Sequence, residues 1–217
     1  HEFCAVDLSQ VYLDLLKDRL YTYPPKSAAR RSAQTALWVL ATTLAKVLTP
    51  ILSHTAEEVW QHLPEWSDKE ITIQTADWPD AEAWRDDELG RRWEEQIEPY
   101  FPVADLAVEK LRQEGVVKDR VEAELVVYAP RERWEALVGA LGEDDLAAAN
   151  GVSRVEYGGD LPQAPSEAVG AAEAAFRISG RRARGRKCLR CWRWQETVGQ
   201  SPDHPDLCGR CVEYLSL

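Results

Sequence analysis

Four of the five cysteines fall into two pairs, Cys188-Leu189-Arg190-Cys191 and Cys208-Gly209-Arg210-Cys211, with 16 residues between them. That spacing lies inside the C-x2-C-x15–20-C-x2-C pattern of zinc sites. Two thiolates two residues apart on a tight turn span one edge of a tetrahedron at a Zn–S distance of ~2.3 Å, and the second pair supplies the opposite edge. Four sulfur ligands leave no position for a reactive water, so the expected cofactor is one structural Zn2+. Disulfide pairing and a redox-active CxxC compete for the same residues. A reducing compartment disfavours the first, and the second usually comes as a single CxxC beside a βαβ pattern. A hydrolytic zinc centre would need an open position and a base; the nearby Glu196 and His204 stand in no zinc-enzyme motif, and no catalytic residue is assigned. His204 reads as a loop residue and the remote Cys4 as a buried free thiol.

Around the first pair, Arg186, Lys187, Arg190 and Trp192 place cations and an indole ring on one metal-braced turn. Cations pair with phosphates and exposed rings stack on unpaired bases, so these four are candidate RNA contacts. Trp192 and Trp194 could equally cover the metal as a miniature core, or divide the two tasks. Arg30 and Arg31, without nearby acids, are further RNA candidates. Lys17 and Arg19 share their segment with Asp14 and Asp18, and local ion pairing competes with RNA contact there. The acidic stretches Asp68–Glu70, Asp86–Glu88 and Glu143–Asp145 read as solvated faces.

These residues need elements to position them. The chain has 217 residues and 45% apolar content, enough for one or two folded domains. Its net charge of −11 argues against nucleic acid on average, yet residues 177–193 hold eight basic side chains and no acid. The remainder, 18 basic against 37 acidic residues, stands at −19. No apolar run approaches a bilayer span, and the first residues lack the pattern of a signal peptide, so a soluble, cytoplasmic protein without membrane contact is expected. The absence of Met suggests a piece of a longer polypeptide.

Apolar steps of three and four predict a helix from Asp7 or Ser9 to about Tyr23 with Leu8, Val11, Tyr12, Leu15 and Leu16 on its inner stripe, stopped by Pro24-Pro25. A second runs from Ser27 to before Pro50 on Ala33, Leu37, Leu40, Leu44 and Val47, and a third begins at Ser53 or Thr55 and ends at Pro64. A loop from Glu65 to about Asp80 precedes another helical pattern over 86–114, broken near Pro99 and Pro102. Beyond Gly115 the period becomes two: Val121–Val127 predicts a half-buried strand, Pro130 opens a helix, and Val152–Tyr157 is a second strand. The fold class is mainly α with a small α+β junction domain. The divisions are a helical bundle (1–115), the junction domain (116–176), and a basic segment with the zinc module (177–217).

Two stretches resemble one family. Asp7-Leu8-Ser9, Tyr12-Leu13-Asp14, Lys17-Asp18-Arg19-Leu20-Tyr21, Arg30-Arg31-Ser32-Ala33-Gln34-Thr35, Pro50-Ile51-Leu52 and Thr55-Ala56-Glu57-Glu58-Val59-Trp60 look like the anticodon-binding helical domain of class I synthetases for large aliphatic amino acids. Lys187 to Trp192, Val198-Gly199, His204-Pro205 and Leu207 to Val212 are similar to the terminal zinc module of bacterial-type isoleucyl-tRNA synthetases. The resemblance implies zinc ligands at Cys188, Cys191, Cys208 and Cys211, RNA-facing positions at Arg190 and Trp192, and isoleucine tRNA as partner through its anticodon stem-loop. Neither an HIGH nor a KMSKS motif occurs. ATP and isoleucine would therefore belong to a catalytic domain, and editing to another domain, of the same parent chain, with a monomer as the expected state. Arg193 stands where the family more often has His, and Lys118-Asp119-Arg120 where it tends to have Gly-Ser-Ser, so no role is carried to these. The alternative is a free-standing zinc-ribbon adaptor binding nucleic acid or protein.

Overall fold

The computed structural model describes residues 2–171 and 174–216. Residues Phe3–Tyr12 wind in wide π-type turns and pass directly into α1 (Leu13–Tyr21), so the helix starts upstream of the caps expected at Asp7 and Ser9. Wider turns advance fewer degrees per residue than the α-helix, and a stripe read at a period of 3.6 drifts off its face. Leu16 is accordingly buried, whereas Val11 is exposed. Cys4 lies on an exposed position of the same segment and is not the buried thiol expected.

The helix α2 (Ala28–Leu48) begins where the Ser27 hydroxyl accepts the Arg30 backbone N–H at 3.3 Å, satisfying one of the first-turn donors. Ala33, Thr42 and Ala45 form its buried positions, while Val47 is exposed. In α3 (Ser53–His62), Trp60 is buried and its indole N–H donates to the Glu70 carbonyl at 2.7 Å. The following loop folds back on that ring. Ile73 joins Ala45, Ala56 and Trp60 in one apolar cluster, and the Trp66 ring packs edge-on against Trp60 and Trp38.

The chain then forms α4 (Asp87–Arg92) and a π-type turn, Trp93–Ile97, before α5 (Tyr100–Gln113). Pro99 sits at the N-cap of α5 and Pro102 in its first turn, where no backbone donor is required. The strand β1 (Ala123–Tyr128) leads to α6 (Arg131–Leu141) and α7 (Glu143–Ala149), which return the chain to β2 (Arg154–Gly159), parallel to β1. On the other edge of β1 lies β3 (Arg177–Arg182), antiparallel, giving the order β2-β1-β3. The half-buried strand expected is thus a central one with all of Ala123–Val127 buried. Its inner positions join Tyr100, Leu137, Leu146, Phe176 and Ile178 in the main core, and even Glu124 is covered, paired across the register with Arg181.

Two compact units divide the chain, Pro25–Asp87 and His1–Pro24 together with Glu88–Leu217. Among the described residues, no helix is long and apolar enough to cross a membrane.

Candidate metal centre and nucleic-acid interface

Gly185 opens the last part of the chain at φ +90°, a conformation that suits glycine, and a Cβ there would come within 2.3 Å of the Gln195 backbone. From it runs a short hairpin, β4 (Arg186–Lys187) against β5 (Trp194–Gln195), with Lys187 opposite Trp194. The turn between them is the first cysteine knuckle. Cys188 N–H donates to the Arg193 carbonyl and Trp192 N–H to the Cys188 carbonyl, each at 2.9 Å. The second knuckle is the start of α8 (Gly209–Leu215), where Cys208 is the N-cap residue and its N–H donates to Cys188 Sγ at 3.3 Å.

These turns bring the four cysteine sulfurs within 4.8 Å of one another, with Cys188, Cys208 and Cys211 buried and Cys191 partly so. Cys191 Sγ and Cys208 Sγ are 3.8 Å apart. A tetrahedron with Zn–S of ~2.3 Å has an edge of roughly 3.8 Å, so the donor set fits a structural zinc. Hydrogen bonding with Cys191, then with Cys211, lowers the Cys208 thiol, and hydrogen bonding with Cys191, then with Cys208, raises that of Cys211. Sulfurs this close share protons among themselves, and a metal ion takes the place of those protons on ligation. Val198 and Leu207 close the apolar side of the cluster. His204 is exposed outside it.

The structure separates the two tryptophans that follow. Trp192 is 64% exposed and adopts φ +67°, the only described non-glycine residue at positive φ. Lys187 Nζ lies 5.4 Å from the centre of its ring, and Leu189 is exposed one turn residue away from Arg190. Trp194 instead is partly buried, with the Arg182 guanidinium over its ring at 5.4 Å and its N–H donating to Ser153 Oγ at 2.6 Å through the backbone. Trp194 is the packing ring and Trp192 the presented one. Arg190 is half-buried and donates to the Cys211 carbonyl at 3.2 Å, while Arg186 donates to the Val198 carbonyl at 3.0 Å. The fold thus gathers Arg186, Lys187, Arg190 and Trp192 in the zinc module. Arg30 and Arg31 stand in the first turn of α2, in the other unit.

Much of the basic run proves to be internally neutralised. Arg181 pairs with Glu124 at 2.6 Å and Glu156 at 2.5 Å, Arg182 with Glu122 at 3.6 Å, and Arg184 with Glu124 at 3.7 Å. Arg193, for which no role was expected, is 4% exposed and bridges Asp18 at 2.8 Å and Asp144 at 3.0 Å. Arg210 reaches both oxygens of Asp18, at 2.7 and 3.0 Å. Arg19 pairs with Asp145 at 2.6 Å, and the Tyr23 hydroxyl donates to the same carboxylate at 3.0 Å. Asp144 and Asp145 therefore belong to a structural network and not to a purely solvated face. Lys17 forms the exposed local pair with Asp14, at 2.5 Å.

Burial opposes the charge of Asp18, but the hydrogen bond from Arg210, the charges of Arg193 and Arg210 and the Thr22 hydroxyl more than offset it and hold its carboxyl below the ordinary value. Burial likewise opposes the charge of Arg210, and the Asp18 hydrogen bonds and charge outweigh it, raising its pKa. Sequence spacing gave no sign of this network, because Asp18 and Arg193 are 175 residues apart and Asp18 had local partners enough to explain its charge.

A family model described as the anticodon-binding domain of tRNA ligase matches residues 1–127, and one described as a zinc finger found in FPG and IleRS matches residues 185–213. An isoleucine–tRNA ligase of Moorella thermoacetica is 44% identical over 214 residues, covering 98% of this chain and 23% of the relative. One of Desulforudis audaxviator is 39% identical over 221 residues, covering 100% and 23%. One of Caldanaerobacter subterraneus is 36% identical over 217 residues, covering 99% and 23%. The chain spans about a quarter of the length of these curated relatives.

Proposed function

The chain belongs to the family of the anticodon-binding domain of tRNA ligases, and on that premise we propose that it is the tRNA-binding part of an isoleucine–tRNA ligase. It grips the anticodon stem-loop of isoleucine tRNA, while ATP-dependent aminoacylation of that tRNA with isoleucine, and editing, are carried out by other domains of the same parent chain. The parent acts as a cytoplasmic monomer. Within the chain, residues 1–115 serve as the helical anticodon-binding bundle, 116–176 as the junction and 177–217 as the basic zinc module. Cys188, Cys191, Cys208 and Cys211 hold one zinc ion, which supplies a cross-link between the two knuckles.

The observation that carries the reading is Trp192, a large ring held out of the metal-braced turn with a cation over it. A side chain so exposed contributes little to folding and offers a flat apolar face to an unstacked base. Lys187 beside the ring, with Arg186 and Arg190 of the same module, serves as a partner for phosphate, and Arg30 and Arg31 are further contacts from α2. Phosphate contacts set register, and the base edges read by nearby groups set identity.

The test is direct binding of the full chain to an anticodon stem-loop RNA of isoleucine tRNA, with that of valine tRNA and a duplex DNA as competitors. Preference for the isoleucine stem-loop is expected. Equal competition by duplex DNA would sink the reading in favour of a general zinc-ribbon adaptor.

A further inference from the structure

We infer that Asp18 is the positioning residue of the zinc module: one carboxylate of α1 holds both cysteine knuckles, through Arg193 and Arg210, and so ties the metal site to the first helix. The two arginines come one from each knuckle. Arg193 lies two residues after Cys191, and Arg210 lies between Cys208 and Cys211. Arg210 grips both Asp18 oxygens, and Arg193 shares one of them at 2.8 Å. All three side chains are largely removed from water, at 5%, 15% and 11% exposure for Arg193, Arg210 and Asp18. The second carboxylate on Arg193, that of Asp144, is 60% exposed and keeps its access to solvent. Loss of Asp18 removes the one carboxylate that both buried cations share, taking the ion pair from Arg210 and leaving Arg193 to Asp144, through its exposed carboxylate at 3.0 Å and its carbonyl at 2.7 Å. The rings of Tyr23 and Tyr214 flank the Arg210 guanidinium at 5.8 and 5.6 Å and pack edge-on against each other. They restrict where that guanidinium can go.

This arrangement makes metal occupancy and the order of α1 interdependent. A zinc ion holds the two knuckles at one separation, and at that separation both arginines reach the same carboxylate. Without it the knuckles share no covalent link, and the bidentate and shared hydrogen bonds are not simultaneously satisfied. Coupling of this kind is reciprocal, so loosening α1 must also weaken the knuckles. The consequence for RNA rests on the reading of Trp192 given above: the turn that presents the ring is held between Cys188 and Arg193, and its angle follows from where Arg193 is anchored.

Hydrogen exchange by mass spectrometry on the full chain tests this, with zinc content measured in parallel. Chelating zinc from the unsubstituted chain is expected to speed exchange in residues 16–21 of α1 by about tenfold. The variant Asp18→Asn is expected to keep one zinc per chain, to speed exchange in residues 188–194 and 208–214 by about tenfold, and to show little further change in α1 on chelation. Unaltered α1 protection after chelation, or unaltered knuckle protection in zinc-loaded Asp18→Asn, overturns the inference. Should Asp18→Asn fail to fold, the chelation arm alone decides. An unsubstituted chain that ignores the anticodon stem-loop overturns the functional reading while leaving both exchange results to stand. If the stem-loop binds and Asp18→Asn binds it equally well despite faster knuckle exchange, the link from Asp18 to the Trp192 turn is overturned.

Discussion

Arg193 is a buried cation between two carboxylates, and the cost of removing it follows from what its partners can do afterwards. Asp18 retains Arg210, and Asp144 is exposed enough to solvate itself. Arg193→Gln should therefore fall at the lower end of the range for breaking a buried pair, about 3 kcal/mol. A denaturant titration followed by tryptophan fluorescence measures it, and a loss comparable to a surface pair would contradict the buried geometry. Arg193→Lys should restore little, since one ammonium cannot address both carboxylates as a planar fork does. Asp18 also has a signature in pH. Its carboxyl is held below an ordinary value near 3.8, so the unfolded chain takes up that proton first as the pH falls. The stability it contributes is complete above the ordinary value and is lost as pH drops through the lowered one. Acid titration of Asp18→Asn should lack that last phase. Trp192 behaves oppositely: Trp192→Ala should leave folding and zinc content unchanged yet weaken stem-loop binding by ~1–3 kcal/mol, and unchanged affinity would remove its stacking role.

At the scale of elements, the zinc hairpin has almost no apolar interior of its own. Its cluster is the four cysteines with Val198 and Leu207, too small to offset the entropy of ordering about thirty residues. Zinc removal is expected to unfold residues from about Gly185 onward while the β2-β1-β3 sheet and its core persist; far-UV and tryptophan signals that ignore a chelator would contradict this. Gly185→Ala should weaken zinc affinity, because it forces a Cβ into the Gln195 backbone at a positive φ. These elements differed in how far they could be read from sequence. The cysteine knuckles were legible because ligand spacing encodes a local geometry, and the α2 start because Ser27 caps it within one turn. Strand β3 was not. Its arginines read as part of a basic run without acids, and only the register against β1, which sets Arg181 opposite Glu124, shows that Arg181 and Arg182 partner acids more than fifty residues away. The π-type turns of Phe3–Tyr12 likewise broke a stripe counted at the α-helical period.

For the whole molecule, the internal pairing of Arg181, Arg182, Arg184 and Arg193 changes what the net charge of −11 means. An acidic chain can still bind RNA if a few cations are presented and the remainder are paired with the chain's own acids, and the number presented is measurable. Each phosphate contacted in a single-stranded region contributes ~0.7 to the slope of log affinity against log salt. If Arg30, Arg31, Arg186, Lys187 and Arg190 all make such contacts, the slope has a magnitude of about 3.5; if the entire basic run faced RNA together with Arg30 and Arg31, it would be about 7. The smaller value is expected. A salt titration of stem-loop binding distinguishes them, and substituting Arg186 or Lys187 by Gln should lower the slope by a fraction of one each, whereas Arg181→Gln should lower stability and leave the slope alone. A slope of about 5.6 would mean that Arg181, Arg182 and Arg184 exchange their acidic partners for phosphate on binding, and one of about 7 would require Arg177 and the buried Arg193 to contact phosphate as well. The low value instead leaves affinity dependent on stacking at Trp192, so binding should survive moderate salt better than a cation count from sequence implies.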